Sequence, residues 1–352
     1  TFRTRHLSSA SGEVPTERCL AFRSFVKNGG ERLWHLALYN ALANHFGNGG
    51  FGGRTWRGWP LPYRSPGSPE VRRFAEQHAV EVEFFQYLYW VAHNQLTAVV
   101  ETCREQGMLV GLYNDIALGV DPDGADYWAN QRLFIDGARM GAPYDQFNPL
   151  GQDWGLPPLH PRILKEEGYR IFAETLRATM SISGAVRLDH VMGLTRLFWV
   201  PVGERATKGG YVNYPFEDLL GIVKLESQRS RCLVVGEALG TVPEGLPEKL
   251  AAANVFSYQL FYFERGSQGE FKAPEQYSPF ALVAVTTHDL PTFPGYWEGI
   301  DLEEKRRLSL FPSDELLQRT VTERAQERDK VVQALKNKGL LPNEWTATSH
   351  RY

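Results

Sequence analysis

Residues 184–190 read GAVRLDH, a short apolar run that ends on a carboxylate at Asp189. Two further stretches share this form: CLVVGE, 232–237, ends at Glu237, and ALVAVTTHD, 281–289, ends at Asp289. Side chains alternate faces along a strand, so Ala185, Arg187 and Asp189 point one way while Val186 and Leu188 point the other. Glu237 follows Asp189 by 48 residues and Asp289 follows Glu237 by 52, room in each interval for one or two strand-plus-helix units. Carboxylates delivered by the ends of several strands predict a β/α barrel.

Working outward, MLVGLYND (108–115) and VFSYQLFYFE (255–264) are two more strand-like runs, and amphipathic stretches separate all five. Alternation of this kind predicts α/β architecture with a parallel sheet. A closed barrel needs eight strands. After Asp289 the pattern turns helical, as in ERAQERDKVVQALKNKG (323–339), so the expectation is a (β/α)8 barrel that is incomplete, its first and last strands missing. The chain starts at Thr1 with no capping element at either end, which fits a processed form or a piece of a longer protein.

The N-terminal part is predicted to be helical. Helical periodicity from Glu17 to about Phe46 is broken by Gly29-Gly30, which implies two helices. Residues 47–69 are dense in Gly, Pro and aromatics and read as a loop without a phosphate-cradling glycine pattern. Ser68-Pro69-Glu70 is a helix start, with an N-cap, a proline at the first helical position and an acid in the first turn. Helix then continues to about Gly107. Within it, VEFFQYLYWVAHNQL (82–96) is expected to pack as a buried helix on a sheet, with a sugar-stacking face as the alternative. The domain reading is a helical insertion over 1–78 and a partial catalytic barrel over 79–352.

The 352 residues are 43% hydrophobic and 22% charged, the profile of a globular protein with one large core. With 38 basic against 41 acidic residues and a net charge of −3, and no basic block interleaved with aromatics, nucleic acid is not an expected partner. Cys19, Cys103 and Cys232 are too few and too far apart for a disulfide framework or a metal-binding spacing. No run of ~18 apolar residues exists to span a bilayer, and Thr1 to His6 lack the apolar centre of a signal peptide. The expected setting is cytoplasmic, away from membranes.

Two carboxyl groups facing each other across a sugar are the minimum equipment for glycosidic-bond chemistry, and a third is a common helper. Arg187, on the same strand face as Asp189, would favour its ionised form; a structural Arg–Asp pair is the alternative. Glu237 follows Leu233-Val234-Val235 and Gly236, which is read as leaving room at the pocket floor, and desolvation there would keep a proton available for a leaving oxygen. Its alternative role is to cap the next helix. His288 and Asp289 suit sugar hydroxyls through charge-assisted hydrogen bonds. A metal site at His190, Glu237, His288 and Asp289 is the weaker reading, because no closely spaced ligand pair anchors it; no metal and no cofactor are expected. The stretch GAPYDQFNPLGQDWGLPPLHP (141–161), with Tyr144, Phe147 and Trp154, is read as a lid loop that excludes water, or else as a packed surface loop.

VRLDHVMGL, VVGEALGTVP, TTHDLPTFPGYW and GAPYDQFNPLGQDWGLPP together resemble the 4-alpha-glucanotransferases, the amylomaltase or disproportionating enzymes of glycoside hydrolase family 77, in their longer bacterial form. The resemblance runs from FRSFVKNGGERLW to YWEGIDLEEKRRLSLFP. It implies an α-amylase-type barrel acting on maltooligosaccharides and α-1,4-glucans by a retaining double displacement. Asp189 would be the nucleophile, Glu237 the general acid/base and Asp289 the transition-state stabiliser, with carboxylates about 5–5.5 Å apart. By the same match Arg187 orients the nucleophile, His190 and His288 touch the sugar, and Gln152 and Trp154 sit on the lid. Asp123 falls where many relatives carry a substrate-contacting acid. Ala238 stands where relatives usually have Asp, which implies one hydrogen bond fewer beside Glu237. Two other readings keep the same residues: an α-glucan hydrolase, and a glucan-binding piece with too little barrel to align its acids.

Overall fold

The computed structural model describes residues 16–47, 55–145, 148 and 150–347. Thr1 to His6 and Phe147 therefore lie outside the described residues. The chain packs as two compact units, one of 1–113, 119–140 and 154–184, the other of 114–118, 141–153 and 185–352.

The first unit is mainly helical: α1 Glu17–His45, α2 Pro69–Gln77, α3 Ala79–Glu105, α4 Ala125–Ala129, α5 Pro161–Glu166 and α6 Arg170–Met180. The break at Gly29-Gly30 is a kink inside α1, where Gly30 has φ 52° and ψ −143°. Ser68 caps α2 by accepting from the Val71 N–H at 3.1 Å. Leu38, Leu42, Trp59, Phe74, Tyr127 and Trp128 are buried in one cluster, so aromatic packing on the kinked helix makes the core.

Among the described residues the main partner of helix α3 is another helix and not the sheet its composition predicts. It lies on α1, with Trp90 and Tyr87 each about 5.5–5.7 Å from a ring neighbour in the Phe22 cluster and Asn40 Nδ2 donating to the Tyr89 hydroxyl at 2.9 Å. Phe84, Leu88 and Val99 stay exposed. Apolar residues around much of a helix say that it can be buried and not what buries it.

The second unit holds the predicted strands, β1 Tyr113–Ile116, β4 Ala185–Leu188, β7 Leu233–Gly236, β8 Phe256–Leu260 and β9 Ala281–Ala284, in one sheet of order β1-β4-β7-β8-β9. The β4–β7, β7–β8 and β8–β9 pairings are parallel. Helices α7 Phe216–Ser230 and α8 Leu246–Ala252 fall between β4 and β8 in sequence, and α9 Phe293–Glu298, α10 Ile300–Arg307 and α11 Asp314–Asn337 follow β9. All four β4 residues are buried, as expected of a parallel strand covered on both faces. Among the described residues the five strands do not close into a barrel.

A second sheet was not legible in the sequence. It is a four-stranded set of order β3-β2-β5-β6, built from β2 Ala138–Ala142, β3 Gln152–Asp153, β5 Arg196–Pro201 and β6 Gly210–Asn213. The stretch 141–161 is therefore not wholly loop, since Gly141 pairs with Asp153 and Ala142 with Gln152, antiparallel. A Cβ at Gly141 would stand 2.0 Å from the Gln152 carbonyl oxygen, so that close pairing needs glycine. No helix among the described residues is long and apolar enough to cross a membrane.

Candidate active site

The site is built where β4 and β7 end side by side. Leu188 pairs with Gly236, so the residues that follow, Asp189 and Glu237, leave the sheet at the same level. Backbone bonds lock the two turns together: the Glu237 N–H donates to the Leu188 carbonyl at 3.0 Å, and the Val191 N–H donates to the Glu237 carbonyl at 2.8 Å. The intervening His190 N–H donates to Glu237 Oε2 at 2.9 Å. To aim that N–H, His190 adopts a left-handed conformation, φ 45° and ψ 59°, uncommon for any residue except glycine.

Arg187 is the electrostatic centre. Its Nη1 donates to both carboxylate oxygens of Asp115, at 2.8 and 2.7 Å. Its Nη2 stands 2.9 Å from Asp189 Oδ1 and 3.9 Å from Glu237 Oε2. The separation of those two oxygens is bounded by the sum of the last two lengths. The arginine side chain is only 7% exposed. Burial opposes its charge, yet the bond to Asp115 and the charges of Asp189, Asp115 and Glu237 together push its pKa up.

The carboxylates respond to the same surroundings. Burial raises the pKa of Glu237 against the lowering effect of the Leu239 and His190 N–H groups and of Arg187. The expected direction and its cause, desolvation, are both met, but the room expected beside Gly236 is not there. A Cβ at 236 would meet Val191 at 3.1 Å, so the glycine admits Val191 and not a ligand. The helix-cap alternative is not met: Glu237 Oε1 accepts from the Leu239 N–H in the loop that follows, and the next helix starts at Leu246 with Gly245 as its N-cap. For Asp189 the expected effect of Arg187 is present but outweighed: burial raises its pKa, and Asp115 and Asp289 add to the rise. Burial lowers the His190 pKa to about 4, which leaves a neutral imidazole at neutral pH.

Asp289 and His288 follow β9 and are exposed, 65% and 68%, with His288 Nε2 3.2 Å from Asp289 Oδ2. Gln152 opens β3 in the antiparallel sheet. Asp123 and Trp154 belong to the helical unit; there Arg57 Nε lies 3.4 Å from Asp123, the Tyr39 hydroxyl donates to the Asp123 carbonyl, and the Trp154 N–H donates to the Met140 carbonyl at 2.9 Å. The structure thus gathers Arg187, Asp189, His190 and Glu237 by direct bonds and places Asp289 within electrostatic reach of Asp189.

The sequence matches the family model described as 4-alpha-glucanotransferase over residues 2–351. The chain belongs to the 4-alpha-glucanotransferase family. A 4-alpha-glucanotransferase of Haemophilus influenzae is 35% identical over 339 residues, covering 95% of this chain and 48% of the relative. One from Mycobacterium bovis is 38% identical over 298 residues, covering 84% and 40%. The chain therefore spans about half the length of the curated relatives it matches. Among solved structures, amylomaltase from Corynebacterium glutamicum superposes with TM-score 0.80 at 31% identity, over 96% of this chain and 45% of that one. Amylomaltase from Streptococcus agalactiae, solved with acarbose, superposes with TM-score 0.70 at 18% identity, over 91% and 63%, and shows the shared fold. The architecture of this family member is thus α/β of the barrel type, represented here by five parallel strands.

Two residues of the site were not legible in the sequence. Asp115 takes two of the Arg187 hydrogen bonds, and Tyr258 on β8 presents its ring 5.7 Å from the Arg187 guanidinium. The signal for Asp115 was available, because the run MLVGLYND closes on a carboxylate as GAVRLD and CLVVGE do. Nothing in the alternation of VFSYQLFYFE marks Tyr258 among its aromatic neighbours.

Proposed function

We propose that this chain carries the acid machinery of a 4-alpha-glucanotransferase, moving α-1,4-linked glucan segments between maltooligosaccharides by a retaining double displacement. The observation that carries the reading is the single Arg187 nitrogen shared between Asp189 at 2.9 Å and Glu237 at 3.9 Å. That arrangement brings a paired carboxylate and a desolvated carboxyl group to one point, within a bound that admits the about 5–5.5 Å separation of retaining enzymes.

In the first step an Asp189 oxygen bonds to the anomeric carbon while the glycosidic bond breaks and Glu237 gives its proton to the departing oxygen. In the second step Glu237, now a carboxylate, takes the proton of an incoming sugar 4-hydroxyl. That oxygen bonds to the anomeric carbon and releases Asp189. The raised pKa of Glu237 suits a group that must hold a proton and then recover one. Asp289 and His288 engage sugar hydroxyls, more tightly as the ring flattens. Neutral His190 contacts the sugar at the cleavage point and Arg187 orients the nucleophile.

Transfer prevails over hydrolysis when a sugar hydroxyl is positioned and water is excluded. The aromatic stretch 141–161, with Gln152 and Trp154, is assigned that lid role, and Asp123 the role of a sugar contact. The test is incubation of the purified chain with maltotriose beside a Glu237→Gln variant, with products followed by chromatography. Glucose plus oligosaccharides longer than the substrate, absent from the variant, is the expected result. Maltose and glucose alone would make the chain a hydrolase, and no conversion would overturn the reading for this chain.

A further inference from the structure

Asp289 has an exposed side chain on the turn between β9 and α9, so packing around the carboxylate does not aim it. The turn itself must. The Asp289 N–H donates to Thr287 Oγ1 at 3.1 Å, and the Leu290 N–H donates to the Thr287 carbonyl at 3.3 Å. Pro291 has no N–H to contribute, but its carbonyl accepts twice: from Thr286 Oγ1 at 2.9 Å and from the Tyr262 hydroxyl at 3.3 Å. The turn ends at Thr292, which caps α9 by accepting from the Gly295 N–H at 3.2 Å.

Tyr262 is itself held. It is buried, and its ring stacks on Tyr296 with centroids 4.3 Å apart and planes 16° from parallel. The Tyr296 hydroxyl donates to Glu327 on α11, which Arg265 engages at 2.8 Å. Arg324 lies over the Tyr296 ring at 3.7 Å, donates to the Tyr296 carbonyl at 2.8 Å and binds both oxygens of Asp301 at 2.7 and 2.9 Å. A phenol in such a setting is a fixed anchor and more than core filler.

We infer that Tyr262 and Thr286 are positioning residues, which pin the Pro291 carbonyl and so aim Asp289 toward the sugar held by Asp189 and Glu237. The inference rests on the glucanotransferase reading for the role of Asp289, while the clamp itself stands on the bonds alone. If Tyr262 were only a packed aromatic, its hydroxyl would be dispensable.

The test uses Tyr262→Phe, Thr286→Val and Thr286→Ser in the full chain, each alone and with Asp289→Asn. Deuterium exchange of the amides at 287–290 is expected to quicken about fivefold or more in Tyr262→Phe and Thr286→Val, as loss of one such bond frees the turn, and to stay at the parent rate in Thr286→Ser. With maltotriose, kcat is expected to fall about fivefold to tenfold in Tyr262→Phe with KM little changed, and to fall no further in the Asp289→Asn background. Unchanged exchange overturns the clamp. An equal proportional loss in both backgrounds shows a merely structural role and overturns the positioning of Asp289. If the parent does not convert maltotriose, the functional reading fails separately, and exchange alone decides the clamp.

Discussion

Glu237 is almost fully buried, 7% exposed at its side chain, and its proton affinity links stability to pH. Its folded pKa lies above the ordinary 4.5 because burial disfavours the charge. The folded form therefore binds the proton more tightly than the unfolded chain. That contribution favours folding below the ordinary glutamate range and is lost as pH rises through the raised value. The expected outcome is that the melting temperature of the parent falls relative to that of Glu237→Gln as pH is raised from about 4 to about 8, whichever is the more stable at the start. Arg187 yields a second expectation. Lysine offers a point charge and cannot serve Asp115 through one nitrogen while reaching Asp189 through another. Arg187→Lys should lose at least about tenfold in maltotriose conversion, and Arg187→Ala should cost about 1–3 kcal/mol in denaturant unfolding, as for the loss of hydrogen bonds to charged groups that are partly exposed. Asp189, Glu237 and Asp289 were legible because each ends an apolar run. Asp115 obeyed the same rule, but it had no second feature to draw the eye. The partner of Arg187 through two bonds is a tertiary fact that alternation along one strand cannot supply.

At the scale of elements, the five strands were legible because runs rich in aliphatic or aromatic residues stand between amphipathic stretches. The antiparallel sheet was not. β3 has two residues, and β6, Gly210–Asn213, is mostly exposed, so neither carries an apolar period long enough to read. Its signature is instead steric, in Gly141. Gly141→Ala places a methyl against the Gln152 carbonyl and must prise β2 from β3. A loss of about 1–3 kcal/mol is expected from such overpacking, measurable by denaturant unfolding, together with faster amide exchange around Gln152 and Asp153. If 141–161 serves as the lid proposed, the same variant should also raise the ratio of hydrolysis to transfer. Helix α3 shows the converse limit: its existence followed from composition, while its partner depended on where Phe22 and Asn40 of α1 fall in three dimensions.

At the scale of the molecule, the two units have different cores. One is the aromatic cluster around Trp59, Tyr127 and Trp128; the other is the buried parallel sheet with Val186, Leu188, Val234, Val235 and Leu260. Cores of different make-up need not melt together. Calorimetry is expected to give a measured enthalpy larger than the van't Hoff value, the mark of more than two states, and a single two-state transition would count against independent units. The family was legible at this scale from four ordered motifs. The division into units was not, because residues 114–118 and 141–153 join the second unit from within stretches that otherwise belong to the first.

The bonds that the end of β4 makes with β1 and β7 have one more implication. Three successive N–H groups, of Asp189, His190 and Val191, are committed to the Ile116 carbonyl, the Glu237 side chain and the Glu237 carbonyl. Two of these three ties involve only main chain, so the distance across which the acids face each other is inherited from the path of the backbone. A descendant of this chain could lose both carboxyl groups and still superpose on the present fold. Kinship in shape records that the acids once had a place to stand, and only the side chains say whether they still occupy it.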